Sequence, residues 1–100
     1  MKTFAFHPGA ILKSEFMDPL GLSAWRLARE LEVPAPRVND IVRGKRGISA
    51  NTALRLGRYF GTSAQFWLNL QNRYDLAEAA RDKTIGKIRT RAVRTKEVAA

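Results

Sequence analysis

The sequence contains no cysteine and no long apolar run. Without cysteine the chain can form neither a disulfide framework nor a thiolate site, which fits a reducing cytoplasm. No apolar stretch approaches the roughly 20 residues of a membrane-spanning helix, and the N-terminal residues lack the pattern of a signal peptide. We therefore expect a cytoplasmic protein with no membrane partner.

Groups suited to catalysis are also scarce. His7, the only histidine, stands beside Pro8, where a turn or packing role is expected. The acidic residues show no paired-carboxylate or metal-ligand spacing, and no glycine-rich phosphate loop is present. The sequence thus predicts a protein that is not an enzyme and that holds neither a metal nor a cofactor.

Positive charge is abundant, with a formal net charge of +9. Residues 1–80 carry 11 Lys and Arg against 7 Asp and Glu, and residues 81–100 carry 7 against 2. More than half of the excess therefore lies in the last fifth of the chain. Such a balance indicates a polyanionic partner, although a solvated tail that keeps the protein soluble is the alternative.

Residues 23–49 carry the strongest structural pattern. Ser23 is a suitable N-cap for a helix with Leu27, Ala28 and Leu31 on one apolar face. Val33-Pro34 breaks the pattern, and a second helix follows with its apolar residues inward, before Gly44 as a C-terminal cap. Two short helices around a tight turn, the second with a polar and basic outer face, predict a DNA-binding helix-turn-helix. An ordinary corner between two helices is the alternative.

The expected DNA contacts follow from this arrangement. Arg37 and Asn39, early on the outer face of the second helix, suit guanine and adenine edges. Asp40 has two alternatives, accepting from a cytosine amino group or orienting Arg37 or Arg43. Phosphate contacts are expected at the N-terminus of the first helix, where Ser23 lies. They are also expected from basic or polar residues at and beyond the end of the second helix, namely Arg43, Lys45, Arg46 and Asn51.

The remaining elements complete an all-α chain. Pro8 suits the start of a helix with an apolar side at Ala10, Ile11, Leu12, Phe16 and Met17, ended by Asp18-Pro19 and Gly21. Helical spacing predicts further helices over about residues 49–60 and 63–81. We expect one domain over residues 1–80 and a basic tail over 81–100, which is either disordered or ordered on a partner.

Three segments resemble a known family: HPGAIL at 7–12, PLGLS at 19–23 and GKRGISANTALRLGRYFGTSAQFWLNLQNRYDL at 44–76. They are similar to the HigA/VapI-type antitoxins, within the Xre/Cro-like (lambda-repressor-like) helix-turn-helix group. The resemblance covers about residues 7–80. It implies a five-helix, usually dimeric domain that binds double-stranded operator DNA, represses its own operon and neutralises a HigB/RelE-like mRNA-cleaving toxin.

The chain departs from the family pattern in the turn. Glu32 replaces the usual glycine and is expected to impose a slightly different turn, and Pro34 lacks the hydroxyl that would cap the second helix. With Pro36 also present, base contacts from the first turn of that helix are less secure. The fifth helix, with Trp67, Leu70 and Tyr74, is the candidate surface of a homodimer.

Two other functions compete with the antitoxin. One is a stand-alone helix-turn-helix transcriptional regulator with no toxin partner, which the absence of a small ribonuclease-like reading frame beside the gene would favour. The other is an RNA-binding or nucleic-acid-coating protein driven by the tail. In that case removal of residues 82–100 would abolish binding, whereas Arg37→Ala would have little effect.

Overall fold

The computed structural model of the protein describes residues 5–93. In that range the chain folds into five helices and a short 3-10 turn, with no β-strand, so the all-α prediction is confirmed. The first helix, α1, has three consecutive segments, Pro8–Ile11, a π-helical Leu12–Met17, and Asp18–Leu20. The others are α2 (Ala24–Leu31), α3 (Ala35–Val42), α4 (Ala50–Phe60) and α5 (Ala64–Ala79), followed by the 3-10 turn Ile85–Lys87.

Serine caps begin three of the helices. The hydroxyls of Ser23, Ser49 and Ser63 accept hydrogen bonds from the backbone N–H groups three residues later, at 3.0, 3.3 and 3.0 Å. Each satisfies one of the N–H groups that a helix start leaves unpaired. Gly21 and Gly61 end α1 and α4 in the left-handed conformation. The predicted boundaries of α2, α4 and α5 are therefore confirmed to within two residues.

Helix α1 differs from its prediction because it continues through Pro19. Proline lacks the N–H that an α-helix needs at this position and crowds the preceding turn. The π-helical turn before Pro19 shifts the backbone hydrogen-bond pairing from four residues to five. The Asp18 N–H accordingly donates to the Lys13 carbonyl, five residues earlier. Ala10, expected on the apolar side, is exposed.

The core forms around α5, whose Trp67 is completely buried. Its Nε1–H donates to Thr62 Oγ1 at 2.7 Å, and the Phe16 ring lies 4.8 Å from it, centroid to centroid. The expectation that Trp67 contributes to a dimer surface is therefore wrong, because its side chain is not accessible to a partner. The other buried apolar side chains are Leu12, Met17, Leu27, Ala28, Leu31, Val38, Ile41, Ile48, Ala53 and Leu56.

A close backbone contact fixes α1 against α3. A Cβ atom added to Gly9 would lie 1.8 Å from the Ile41 carbonyl oxygen, a distance that no side chain can occupy. Gly9 therefore allows the start of α1 to reach the end of α3. The glycine of the HPGAIL segment thus helps to position the second helix of the helix-turn-helix.

Beyond α5 every residue through 93 is exposed, and the hydrogen bonds there form local turns. Asp82 Oδ1 accepts from the Thr84 N–H and hydroxyl at 2.9 and 2.6 Å, and the 3-10 turn follows where no element was expected. The division into a domain and a tail stays a prediction. Residues 1–4 of the predicted domain and 94–100 of the predicted tail lie outside the described residues.

Candidate nucleic-acid interface

Helices α2 and α3 form the predicted helix-turn-helix, and Glu32 shapes its turn. Glu32 has φ 58° and ψ 47°, the left-handed conformation for which glycine is favoured. Its backbone N–H donates to the Ala28 and Arg29 carbonyls, so the residue closes α2 at the cost of an unfavourable conformation. The turn thus has the geometry that glycine would give, with a charged side chain at the corner.

The first turn of α3 is poor in hydrogen-bond donors. Pro34 is its N-cap and supplies no side-chain hydrogen bond, and Pro36 has no N–H. The Arg37 N–H donates to the Pro34 carbonyl at 3.0 Å. The Ala35 N–H is therefore the one backbone donor that residues 34–37 leave for a ligand.

A cluster of two arginines and one asparagine joins α3 to α4. Asn51 Oδ1 accepts from Arg55 Nε at 2.8 Å and from Arg37 Nη1 at 3.5 Å. Arg55 also donates from Nη1 to the Leu31 carbonyl at the end of α2, at 2.8 Å. Because its oxygen is occupied, Asn51 presents its amide N–H groups to any ligand.

Beside this cluster, Asp40 forms an ion pair with Arg46, with 3.7 Å between Oδ2 and Nη2. The cation that pairs with Asp40 in the structure is thus Arg46 and not Arg37 or Arg43, and the role of Asp40 towards DNA stays a prediction. The pair offsets the repulsion that a lone carboxylate would exert on DNA. Next to it is a concave site of about 210 Å³, lined by Arg37, Arg46, Gly47, Ser49, Asn51 and Thr52. We call it the basic site.

The other residues predicted to contact DNA lie around the basic site. Asn39 and Asp40 line a neighbouring groove together with Ala24, the residue that follows Ser23. Arg43 and Lys45 are exposed at and after the end of α3, and their side chains form no hydrogen bond or ion pair with the described residues. The Ser23 hydroxyl is engaged as the cap of α2, which leaves the first N–H groups of that helix for phosphate.

Sequence reasoning missed two residues that hold this surface in place. One is Arg55, described above. The other is Gln71 on α5, whose Oε1 accepts from the Ile48 N–H at 2.7 Å and so fixes the loop after α3. Gly47 makes room for it, since an added Cβ would lie 3.0 Å from the Gln71 side chain. The sequence pattern places Gln71 only on the edge of an apolar face, which gives no sign of this contact.

His7 has the turn role expected for it. Its Nδ1 accepts from the Gly9 N–H at 2.9 Å and caps α1, and its ring contacts the edge of Tyr74. Burial lowers the pKa of His7 below its usual 6.5, and the nearby Asp75 carboxylate opposes that shift. Among residues 5–93, no cluster of histidines and carboxylates could hold a metal ion, and no helix is long and apolar enough to span a membrane.

Comparison with known proteins agrees with this geometry. The family model described as "Helix-turn-helix" matches residues 14–67. Virulence-associated protein I of Dichelobacter nodosus is 58% identical over 79 residues, which cover 79% of this chain and 73% of that protein. The structure of "Pseudomonas aeruginosa antitoxin HigA with higBA promoter" is similar with a TM-score of 0.84 and 53% identity, over 90% of this chain and 100% of that one. "Antitoxin GraA in complex with its operator" is similar with a TM-score of 0.84 and 42% identity, over 93% and 97%.

Proposed function

Because this chain belongs to the HigA/VapI-type antitoxin family of helix-turn-helix proteins, we propose that it is the antitoxin of a type II toxin–antitoxin system. It binds double-stranded operator DNA, represses its own operon and neutralises a HigB/RelE-like, mRNA-cleaving toxin. Its role is not enzymatic, and it acts in the cytoplasm, where its operator lies.

The basic site beside α3 is the observation that supports DNA binding. Arg37 and Arg46 are brought there from two sides, and the Asn51 amide is turned outward by Arg55. This arrangement of cations and N–H donors suits the acceptor atoms of DNA, both phosphate oxygens and base edges. The similar HigA structure is that of the protein with promoter DNA, and the similar GraA structure is that of a complex with operator DNA.

We propose that the residues predicted from the sequence divide into those that contact bases and those that contact phosphates. Asn39 and Arg37 reach base edges, with Asn39 pairing with adenine. Asp40 stays bound to Arg46 and orients it. Phosphate is held by the N-terminus of α2 after Ser23 and by the basic residues around the end of α3, namely Arg43, Lys45, Arg46 and Asn51.

The protein acts as a homodimer in this proposal. A single helix-turn-helix reads a few base pairs, whereas a two-fold dimer reads half-sites that are ~34 Å apart. Trp67 is excluded from the interface by its burial, which leaves the half-buried Leu70 and Tyr74 of the original candidate surface.

The test of DNA reading is binding to the duplex upstream of its own gene and to a scrambled duplex, across a salt series. Phosphate contacts weaken with salt for any sequence, so the affinity ratio between the duplexes reports base reading. We expect a ratio of ~10³ that Arg37→Ala lowers by roughly 5-fold or more. Arg73→Ala, which removes an exposed arginine of α5, is the charge-matched control and should leave the ratio unchanged. Equal binding to both duplexes would refute the proposal.

Toxin neutralisation has a separate test. The product of the reading frame adjacent to the gene is purified, and its cleavage of mRNA is measured with and without an equimolar amount of this chain. We expect cleavage to stop. Specific operator binding without such a toxin would support the stand-alone regulator instead.

A further inference from the structure

An exposed apolar groove lies where the start of α2 faces the first turn of α3. Its volume is about 330 Å³, and its lining residues are Ala24, Trp25, Ala35, Pro36, Asn39 and Asp40. Trp25 is 58% exposed, although its ring is among the largest apolar groups of the chain. The Arg29 guanidinium lies 5.2 Å from the centre of that ring, a cation–π contact that restrains it.

This groove can make few hydrogen bonds at its α3 end. The side chains of Ala35 and Pro36 carry no donor or acceptor, and the Pro36 nitrogen carries no hydrogen. The first residues of the second helix in a helix-turn-helix are nevertheless those that reach base edges in the major groove. Apart from the Ala35 N–H, Ala35 and Pro36 can therefore offer a base edge only van der Waals contact. In the major groove thymine is distinguished by the apolar group it presents there, its C5-methyl.

The surroundings of the groove select DNA as its occupant. Asp40 lies on the groove and also pairs with Arg46 of the basic site, so the two surfaces are continuous. An apolar strip bordered by arginines complements base edges bordered by phosphates. Asn39 lines the same groove and suits the N6 and N7 atoms of adenine.

We propose that Trp25, Ala35 and Pro36 read thymine through its C5-methyl group, next to an adenine read by Asn39. This inference rests on the proposed DNA-binding function and names the bases that the groove selects. These apolar residues thereby make the protein prefer A·T pairs at the positions of each half-site that the groove faces.

The test removes one methyl group at a time. In the upstream duplex each thymine is replaced singly by deoxyuridine, which pairs identically but lacks the C5-methyl. Burial of one methyl is worth ~0.8 kcal/mol, so we expect about a 4-fold loss of affinity at one or two thymines per half-site. Trp25→Ala and Ala35→Ser should reduce that thymine-to-uracil ratio towards 1. Leu76→Ala, which truncates an exposed leucine of α5, should leave it at about 4.

Each contrary outcome is distinct. If every deoxyuridine duplex binds as tightly as the parent while the scrambled duplex still binds weakly, the protein reads its operator without the methyl contact. If the thymine-to-uracil ratio persists in both groove variants, another residue reads the methyl. Either result overturns this inference and leaves the proposed DNA-binding function intact. No preference for the parent duplex over the scrambled one would refute the proposed function, and the inference with it.

Discussion

Replacing Gly9 with alanine tests whether the contact between α1 and α3 holds the second helix of the helix-turn-helix in position. The added Cβ would lie 1.8 Å from the Ile41 carbonyl oxygen and 2.7 Å from its carbon. Backbone atoms cannot rotate away as a flexible side chain can. The same carbonyl accepts the Gly44 N–H at 3.0 Å, so moving it also disturbs the end of α3.

The expected cost is at the upper end of the range for overpacking, about 3 kcal/mol. For a domain of this length, that change lowers the melting temperature by about 12–24 °C. The measurements are thermal unfolding followed by circular dichroism, and urea unfolding for the free energy. Gly86→Ala is the matched control, because an added Cβ there meets nothing within 4 Å, and we expect a change within about 0.5 kcal/mol. A Gly9→Ala variant within 1 kcal/mol of the parent would refute this account of the α1–α3 contact.

Three further predictions concern other features of the fold. Glu32→Gly should raise the free energy of unfolding by roughly 0.5–1 kcal/mol, since relief of the left-handed conformation exceeds the added chain entropy; a lower urea midpoint would contradict it. The pKa of His7 is lowered in the folded protein, so neutral His7 contributes to the free energy of unfolding fully above the unfolded pKa of about 6.5. This contribution is lost as the pH falls below that value. His7→Asn should therefore make the free energy of unfolding depend less on pH between pH 7.5 and 5.5. Arg55→Ala should lower the free energy of unfolding by about 1 kcal/mol, because the Leu31 carbonyl loses its hydrogen bond from Arg55. An unchanged urea midpoint would show that water replaces this hydrogen bond fully.

Local signals made much of the fold predictable. Ser23, Ser49 and Ser63 each begin a helix because a hydroxyl at that position pairs an N–H of the first turn, and that rule needs no knowledge of the rest of the chain. Gly21 and Gly61 end helices for a similarly local reason. The apolar spacing then sufficed to place the helix-turn-helix.

The contacts that sequence reasoning missed depend on the packing of separate elements. Asp40 pairs with Arg46 only because the loop after α3 reverses direction, and Gln71 reaches Ile48 across 23 positions of sequence. Trp67 shared its helical spacing with half-buried neighbours, so periodicity could not tell the centre of the core from its edge. The choice of DNA-contact residues rests on the helix-turn-helix motif, and both the choice and the individual roles stay predictions.

The missing side-chain cap at the start of α3 also affects how that helix forms during folding. An isolated eight-residue helix is marginal in water, and α3 has an N-cap residue, Pro34, that supplies no side-chain hydrogen bond. Its order therefore comes from Val38 and Ile41, which are buried against the other helices. A synthetic peptide of residues 34–43 should be unstructured. In hydrogen exchange, the amides of α3 should open only with the whole domain, so the DNA-reading surface is a product of the complete fold.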